Sequence, residues 1–95
     1  MKLECAKLPI QEGKEEEFAK AMADTGLDIL RGADGCTSAT LGRGVESPST
    51  FLLLVEWDTV EAHVAFTKTE PFEKFVGLAR AYFSGAPDME HFDFA

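Results

Sequence analysis

His63 is the side chain best placed in this sequence for acid–base chemistry. It stands six residues after Trp57 and three before Phe66, in the run FLLLVEWDTVEAHVAF from Phe51 to Phe66. An imidazole titrates near neutral pH, and partial burial favours the neutral form that a general base needs. At 100° per residue on a helix, His63 falls between Val60, Val64 and Thr67 on one side and Phe66 on the other, with Glu61, Ala65 and Lys68 roughly opposite. It therefore points with the apolar residues, either as a base at a pocket wall or as a core histidine bonded to a carbonyl. Trp57 offers a large flat face and one N–H, which suits core packing and equally the wall of a site for a planar aromatic ligand. Tyr82 completes an apolar helical stripe, with its hydroxyl free to reach a pocket edge. His91, on the last predicted strand, reads as an edge or interface residue.

Other chemistries find little support. Two histidines and the pair Cys5 and Cys36 match no metal-ligand spacing, so no metal site is expected. Gly42-Arg43-Gly44 lacks both the further glycines and the following helix of a phosphate loop. With no signal-like segment and no apolar run of membrane-spanning length, the expectation is a cytoplasmic protein with both thiols reduced and no membrane partner. A net charge of −8, with Arg43, Lys68, Lys74 and Arg80 scattered, speaks against a nucleic-acid partner.

The elements that must position His63 follow from hydrophobic period. Phe51, Leu53, Val55 and Trp57 share one face of a strand, and Leu52 and Leu54 occupy the other. A strand apolar on both faces needs cover on both. Asp58 can cap the next helix, with Glu61 in the reciprocal position. Met1, Leu3 and Cys5 alternate with Lys2 and Glu4 as a first strand closed by Pro9. Phe18, Ala21, Met22, Thr25 and Ile29 mark one helix from about Lys14 to Arg31, stopped by Gly32. Cys36 to Arg43 is a second strand. Pro71 opens a helical segment with the stripe Phe72, Phe75, Val76, Ala79, Tyr82 and Phe83, and Met89 to Phe94 is the last strand.

The resulting order, β-α-β-β-α-β with the last helix broken near Glu70-Pro71, is the α+β ferredoxin-like arrangement. It is a four-stranded antiparallel sheet with both helices on one face, here as a single domain over 1–95. The helices leave the second apolar face of strand three bare. With eight phenylalanines and 45% hydrophobic residues in 95, the expectation is a homodimer paired through its sheets.

Leu54-Val55-Glu56-Trp57-Asp58, Glu61-Ala62-His63 and Phe66, with Pro71-Phe72, Tyr82-Phe83 and Pro87-Asp88-Met89-Glu90-His91-Phe92, resemble the antibiotic biosynthesis monooxygenase-like family of dimeric α+β barrels. The resemblance implies oxygenation of anthrone-, quinol- or polyketide-like molecules without metal or flavin, in a pocket between sheet and helices. Trp57 and His63 hold the family's pocket positions. Leu53 stands where some oxygenases carry asparagine, and uncharged Val76 and Gly77 stand near a frequent arginine. Thr67 occupies the position of the histidine found in haem-degrading members. The implied function is a cofactor-independent monooxygenase with His63 as base and Trp57, Phe66, Tyr82 and Leu53 against the substrate. The alternative is a non-catalytic small-molecule-binding or stress-response module of the same dimeric fold.

Overall fold

Two runs of alternating burial fix the centre of the molecule. In the computed structural model, which describes residues 1–94, β1 (Lys2–Pro9) and β3 (Thr50–Trp57) pair antiparallel, Lys2 opposite Trp57 and Leu8 opposite Phe51. Around them lie β2 (Cys36–Arg43) and β4 (Asp88–Asp93), giving one antiparallel sheet in the order β2-β3-β1-β4. The helical segments are α1 (Glu15–Ala21), α2 (Leu27–Arg31), α3 (Val60–Phe66) and α4 (Glu70–Arg80). The architecture is the α+β ferredoxin-like fold expected from the order of elements.

The core lies between the helices and one sheet face, where Ala6, Leu8, Phe51, Leu53, Val55 and Trp57 meet Phe18, Met22, Leu30, Phe66 and Ala79. The opposite face of β3, β1 and β4 carries Leu52, Leu54, Leu3 and Phe92. Of these, Leu52 and Phe92 are exposed, and no helix covers them. Cys5 and Cys36 are free thiols on strands that β3 separates. No helix among the described residues is long and apolar enough to cross a membrane.

Four local expectations are corrected. The first concerns β1, whose helix-facing side is Glu4, Ala6 and Leu8 rather than Met1, Leu3 and Cys5. Ala6 and Leu8 sit opposite Leu53 and Phe51 in register, so packing at that end sets the face and carries Glu4 inward with it.

The single helix from Lys14 to Arg31 is interrupted by a π turn over Met22–Gly26. The buried apolar side chains run Phe18, Met22, Leu27 and Leu30, so Met22 to Leu27 is one residue longer than an α-helical step. The widened turn absorbs that residue and leaves Thr25 exposed.

The helix after β3 is capped by Thr59, not Asp58. Thr59 has extended backbone (φ −143, ψ 159), and its hydroxyl accepts from the Ala62 N–H at 3.1 Å. The Asp58 N–H is already committed to the Gly35 carbonyl at 2.7 Å.

The fourth difference is α4, which ends at Arg80, so that Tyr82 and Phe83 lie beyond the helix and Phe83 bridges Ile10. Gly32 ends its helix as expected, with ordinary helical dihedrals, and the left-handed glycine that meets Asp58 is Gly35 at φ +85. A Cβ on Gly35 would stand 2.6 Å from the Ala62 Cβ, so glycine there lets the α2–β2 turn press against α3.

Candidate functional site

Glu4, Trp57, His63 and His91 converge where the N-terminal end of β1 meets the C-terminal ends of β3 and β4. Trp57 closes β3, and α3 begins three residues later, so the first turns of α3 lie back over the indole. His63 stacks on Trp57, with ring centroids 4.9 Å apart at 15°, while Phe66 tilts against Trp57 at 5.8 Å. Glu4 reaches the same place from β1. In the β1–β4 register it is the direct partner of His91.

Hydrogen bonding makes this cluster more than packing. The Trp57 Nε1–H donates to Glu4 Oε1 at 3.0 Å, and His63 Nε2 lies 3.3 Å from the same oxygen. On its other edge, His63 Nδ1 is 2.7 Å from His91 Nε2. Trp57, Glu4 and His63 are all buried, at 1%, 8% and 8% exposure. A carboxylate so enclosed is costly unless donors surround it, and here an indole N–H and an imidazole edge serve.

These partners favour one arrangement of protons. A tautomer with its N–H on the edge of His63 that faces the carboxylate leaves Nδ1 as an acceptor. His91 must then donate from Nε2. Glu4 and His91 approach opposite edges of the ring, so their ligating atoms do not converge on one point. Among the described residues, no cluster of three or more histidines, cysteines or carboxylates could hold a metal ion.

Burial pushes the His63 imidazole below its ordinary pKa of 6.5. The Glu4 charge opposes that shift, and His91 adds to it. The sign for stability follows. Below about pH 6.5 the unfolded chain takes up a proton that the folded chain resists, so the protein loses stability as pH falls from there toward the folded-state value. Above about pH 6.5 this contribution is complete and constant. Urea midpoints at about pH 7.5 and about pH 5 should differ in wild type, and the difference should shrink in His63→Gln. Equal slopes in the two proteins would contradict the assignment.

The structure brings together three of the five side chains singled out from the sequence: Trp57, His63 and Phe66. Tyr82 lies elsewhere. Its ring is 5.8 Å from Phe18, which packs on Phe51 at 5.0 Å, and Phe51 is six residues (roughly 20 Å of strand) from Trp57. Leu53 is sealed in mid-sheet at 3% exposure, opposite Ala6. Glu4 and His91 were not read from the sequence as part of the site. Their pointer was the pair Ala6 and Leu8, which forces Glu4 inward, together with an antiparallel β1–β4 register.

A cleft lies offset from this cluster. It measures about 790 Å³ and opens between the end of α2 and the starts of α3 and α4. Ile29, Ala33, Ala62 and Phe66 supply apolar walls, and Asp28, Asp58 and Lys74 supply charges. Phe66 borders both cleft and cluster, while Trp57 and His63 do not line the cleft. The sequence places a cavity directly beside His63; here the indole and Phe66 fill that space.

Comparison with known proteins agrees with this architecture. The family described as antibiotic biosynthesis monooxygenase matches residues 1–78. The uncharacterised protein YczJ of Bacillus subtilis (strain 168) is 33% identical over 90 residues, spanning 94% of each chain. A crystal structure from Bordetella bronchiseptica, assigned to antibiotic biosynthesis monooxygenases, superposes with a TM-score of 0.93 at 28% identity, covering 99% of this chain and 96% of that one. One from Caulobacter crescentus CB15 shares the fold at a TM-score of 0.85 and 22% identity, covering 99% and 89%.

Proposed function

Because the chain belongs to the antibiotic biosynthesis monooxygenase family, we propose that it oxygenates a small planar aromatic, quinol or polyketide-like substrate with dioxygen and without a cofactor, His63 serving as base. The observation that supports this reading is the Glu4–His63–His91 chain, buried at Glu4 and His63 and half-buried at His91. A neutral imidazole held by a carboxylate on one edge can take a proton on the other, and Glu4 then faces the imidazolium that forms. The stacked indole fixes the ring plane.

In such a reaction the substrate supplies the electrons. An activated CH2 conjugated with a carbonyl, as in anthrone, loses one proton to the base, and the carbanion combines with dioxygen to give a peroxide on carbon, which the base reprotonates. Loss of the second C–H proton breaks the O–O bond and releases water. Overall, CH2 and O2 become C=O and H2O. Oxygen uptake by the purified protein with anthrone and with menadiol tests the proposal, and a rate above the protein-free background is expected. Tight binding without uptake would favour a small-molecule-binding module, for which the cleft bordered by Phe66 is the supporting feature.

We also propose that two copies pair through the open sheet face. Leu52 and Phe92 lie exposed on it at 37% and 44%, and Leu3 stands beside Phe92 in register. Light scattering should give twice the chain mass at micromolar concentration. A charge within such a face is expensive to bury, so Phe92→Glu should shift the protein to monomer. A wild-type monomer would refute the pairing.

A further inference from the structure

We infer that His91 is the residue that meets the substrate proton, and that His63 is the inner relay behind it. This rests on the base-catalysed reading above. His63 is enclosed by Trp57 on one ring face, Glu4 on one edge and His91 on the other, so no substrate atom can reach its acceptor nitrogen without displacing His91. His91 is only half-buried, and its ring stands edge-on to His63 with centroids 4.9 Å apart. Its Nε2 is occupied by the 2.7 Å contact to His63, which leaves Nδ1 as the outward atom. No side-chain nitrogen or oxygen among the described residues is buried without a partner, and Nδ1 bonds none of them, so it is open to solvent.

The surface around this atom suits an apolar, planar molecule. Strand alternation puts Met89 and Asp93 on the same side of β4 as His91, roughly 7 Å away in either direction. Met89 is 45% exposed and offers a thioether to an aromatic face. Asp93 pairs with Lys2 at 2.8 Å and lies 3.8 Å from the N-terminal ammonium, while Glu4 stands opposite His91 in register. Substrate therefore docks against β4, over Met89 and His91, and not in the α2–α3 cleft.

The proton path balances without other groups. The substrate C–H or O–H proton passes to His91 Nδ1, leaving its bonding electrons on the substrate. The proton on His91 Nε2 moves to His63 Nδ1. His63 becomes an imidazolium facing Glu4, and His91 is again neutral with its proton on Nδ1. Reversal of the two transfers returns the proton to the peroxide formed with dioxygen. Glu4 is a positioning residue in this scheme, since it never meets substrate.

Two measurements decide it. Nitrogen-15 spectra of the imidazoles should show the neutral ring of each histidine with its proton on Nε2. His91 found with its proton on Nδ1 would overturn the relay whatever the activity. In the oxygen-uptake assay, His91→Gln should lower kcat/KM by about 10²–10⁴, as for loss of a general base. Wild-type rates in His91→Gln, with His63→Gln impaired, would overturn the inference and leave the oxygenase reading standing. No uptake by wild type would overturn both.

Discussion

His63→Gln should lower kcat/KM for oxygen uptake with anthrone by about 10²–10⁴ while leaving the fold intact, because the residue contributes a titratable nitrogen that no amide replaces. The reasoning begins with burial. His63 is 8% exposed and held on both edges, so it enters the reaction neutral and already oriented. Glutamine is close enough in size to lie over the Trp57 face. Its amide N–H can approach Glu4 Oε1, so the buried carboxylate keeps a donor and the structure is not left with an uncompensated charge. What is lost is the capacity to accept a proton from the His91 side. Circular dichroism and a thermal midpoint near that of wild type would separate a chemical defect from a folding one. Equal uptake rates in the two proteins would exclude His63 as the base.

The pH profile sharpens the expectation. Burial lowers the pKa of His63 from its ordinary 6.5, so its neutral form persists into mildly acidic solution. Activity should stay level from neutral pH down to below that value before falling. The onset of the acid limb should coincide with the lower end of the pH range over which folding stability is lost, since both mark protonation of the folded-state imidazole. That coincidence is absent if His63 only fills space.

The elements were legible in the sequence where the hydrophobic period had one solution. β3 is apolar at every position from Phe51 to Val55, and its two-faced character required both a helix layer and a bare face. Pro71 and the stripe from Phe72 to Ala79 likewise left little freedom for α4, which Thr69 caps. The errors arose where local pattern competes with tertiary contact. Leu3 and Cys5 look like the inner face of β1 until Ala6 and Leu8 are paired with Leu53 and Phe51. The π turn serves the spacing from Met22 to Leu27, which periodicity alone reads as one continuous helix.

The site was legible only in part for the same reason. Trp57, His63 and Phe66 lie within ten residues of one another, so a strand–helix junction is enough to gather them. Glu4 and His91 join from two other strands, and nothing local to either marks it. A lone glutamate in a short strand reads as solvated, because burying it makes sense only once an indole N–H and an imidazole are known to be within 3.0 and 3.3 Å. His91 becomes meaningful only through the register that sets it opposite Glu4. Tyr82 failed in the opposite sense. The α4 stripe reads as continuing to Tyr82, but the helix ends at Arg80, and the Tyr82 ring turns to Phe18 and away from Trp57.

Trp57→Ala should produce the largest loss of stability at the site, and its comparison with Trp57→Phe divides the loss into two causes. The indole is 1% exposed and touches His63 on one face and Phe66 at an angle. Removing so large a buried ring typically costs about 3–5 kcal/mol, which for a domain of this length lowers the thermal midpoint by on the order of 20 °C. Phenylalanine retains most of the apolar contact but has no N–H for Glu4 Oε1, which Trp57 now supplies at 3.0 Å. A lost hydrogen bond to a buried charged acceptor is worth about 1.5–3 kcal/mol, so Trp57→Phe should fall between wild type and Trp57→Ala. Replacing Glu4 with Gln in the Trp57→Phe background should recover part of the deficit, because a neutral amide tolerates the missing donor better than a carboxylate does. If Trp57→Phe melts with wild type, the indole N–H does not hold Glu4, and the carboxylate must depend on His63 alone.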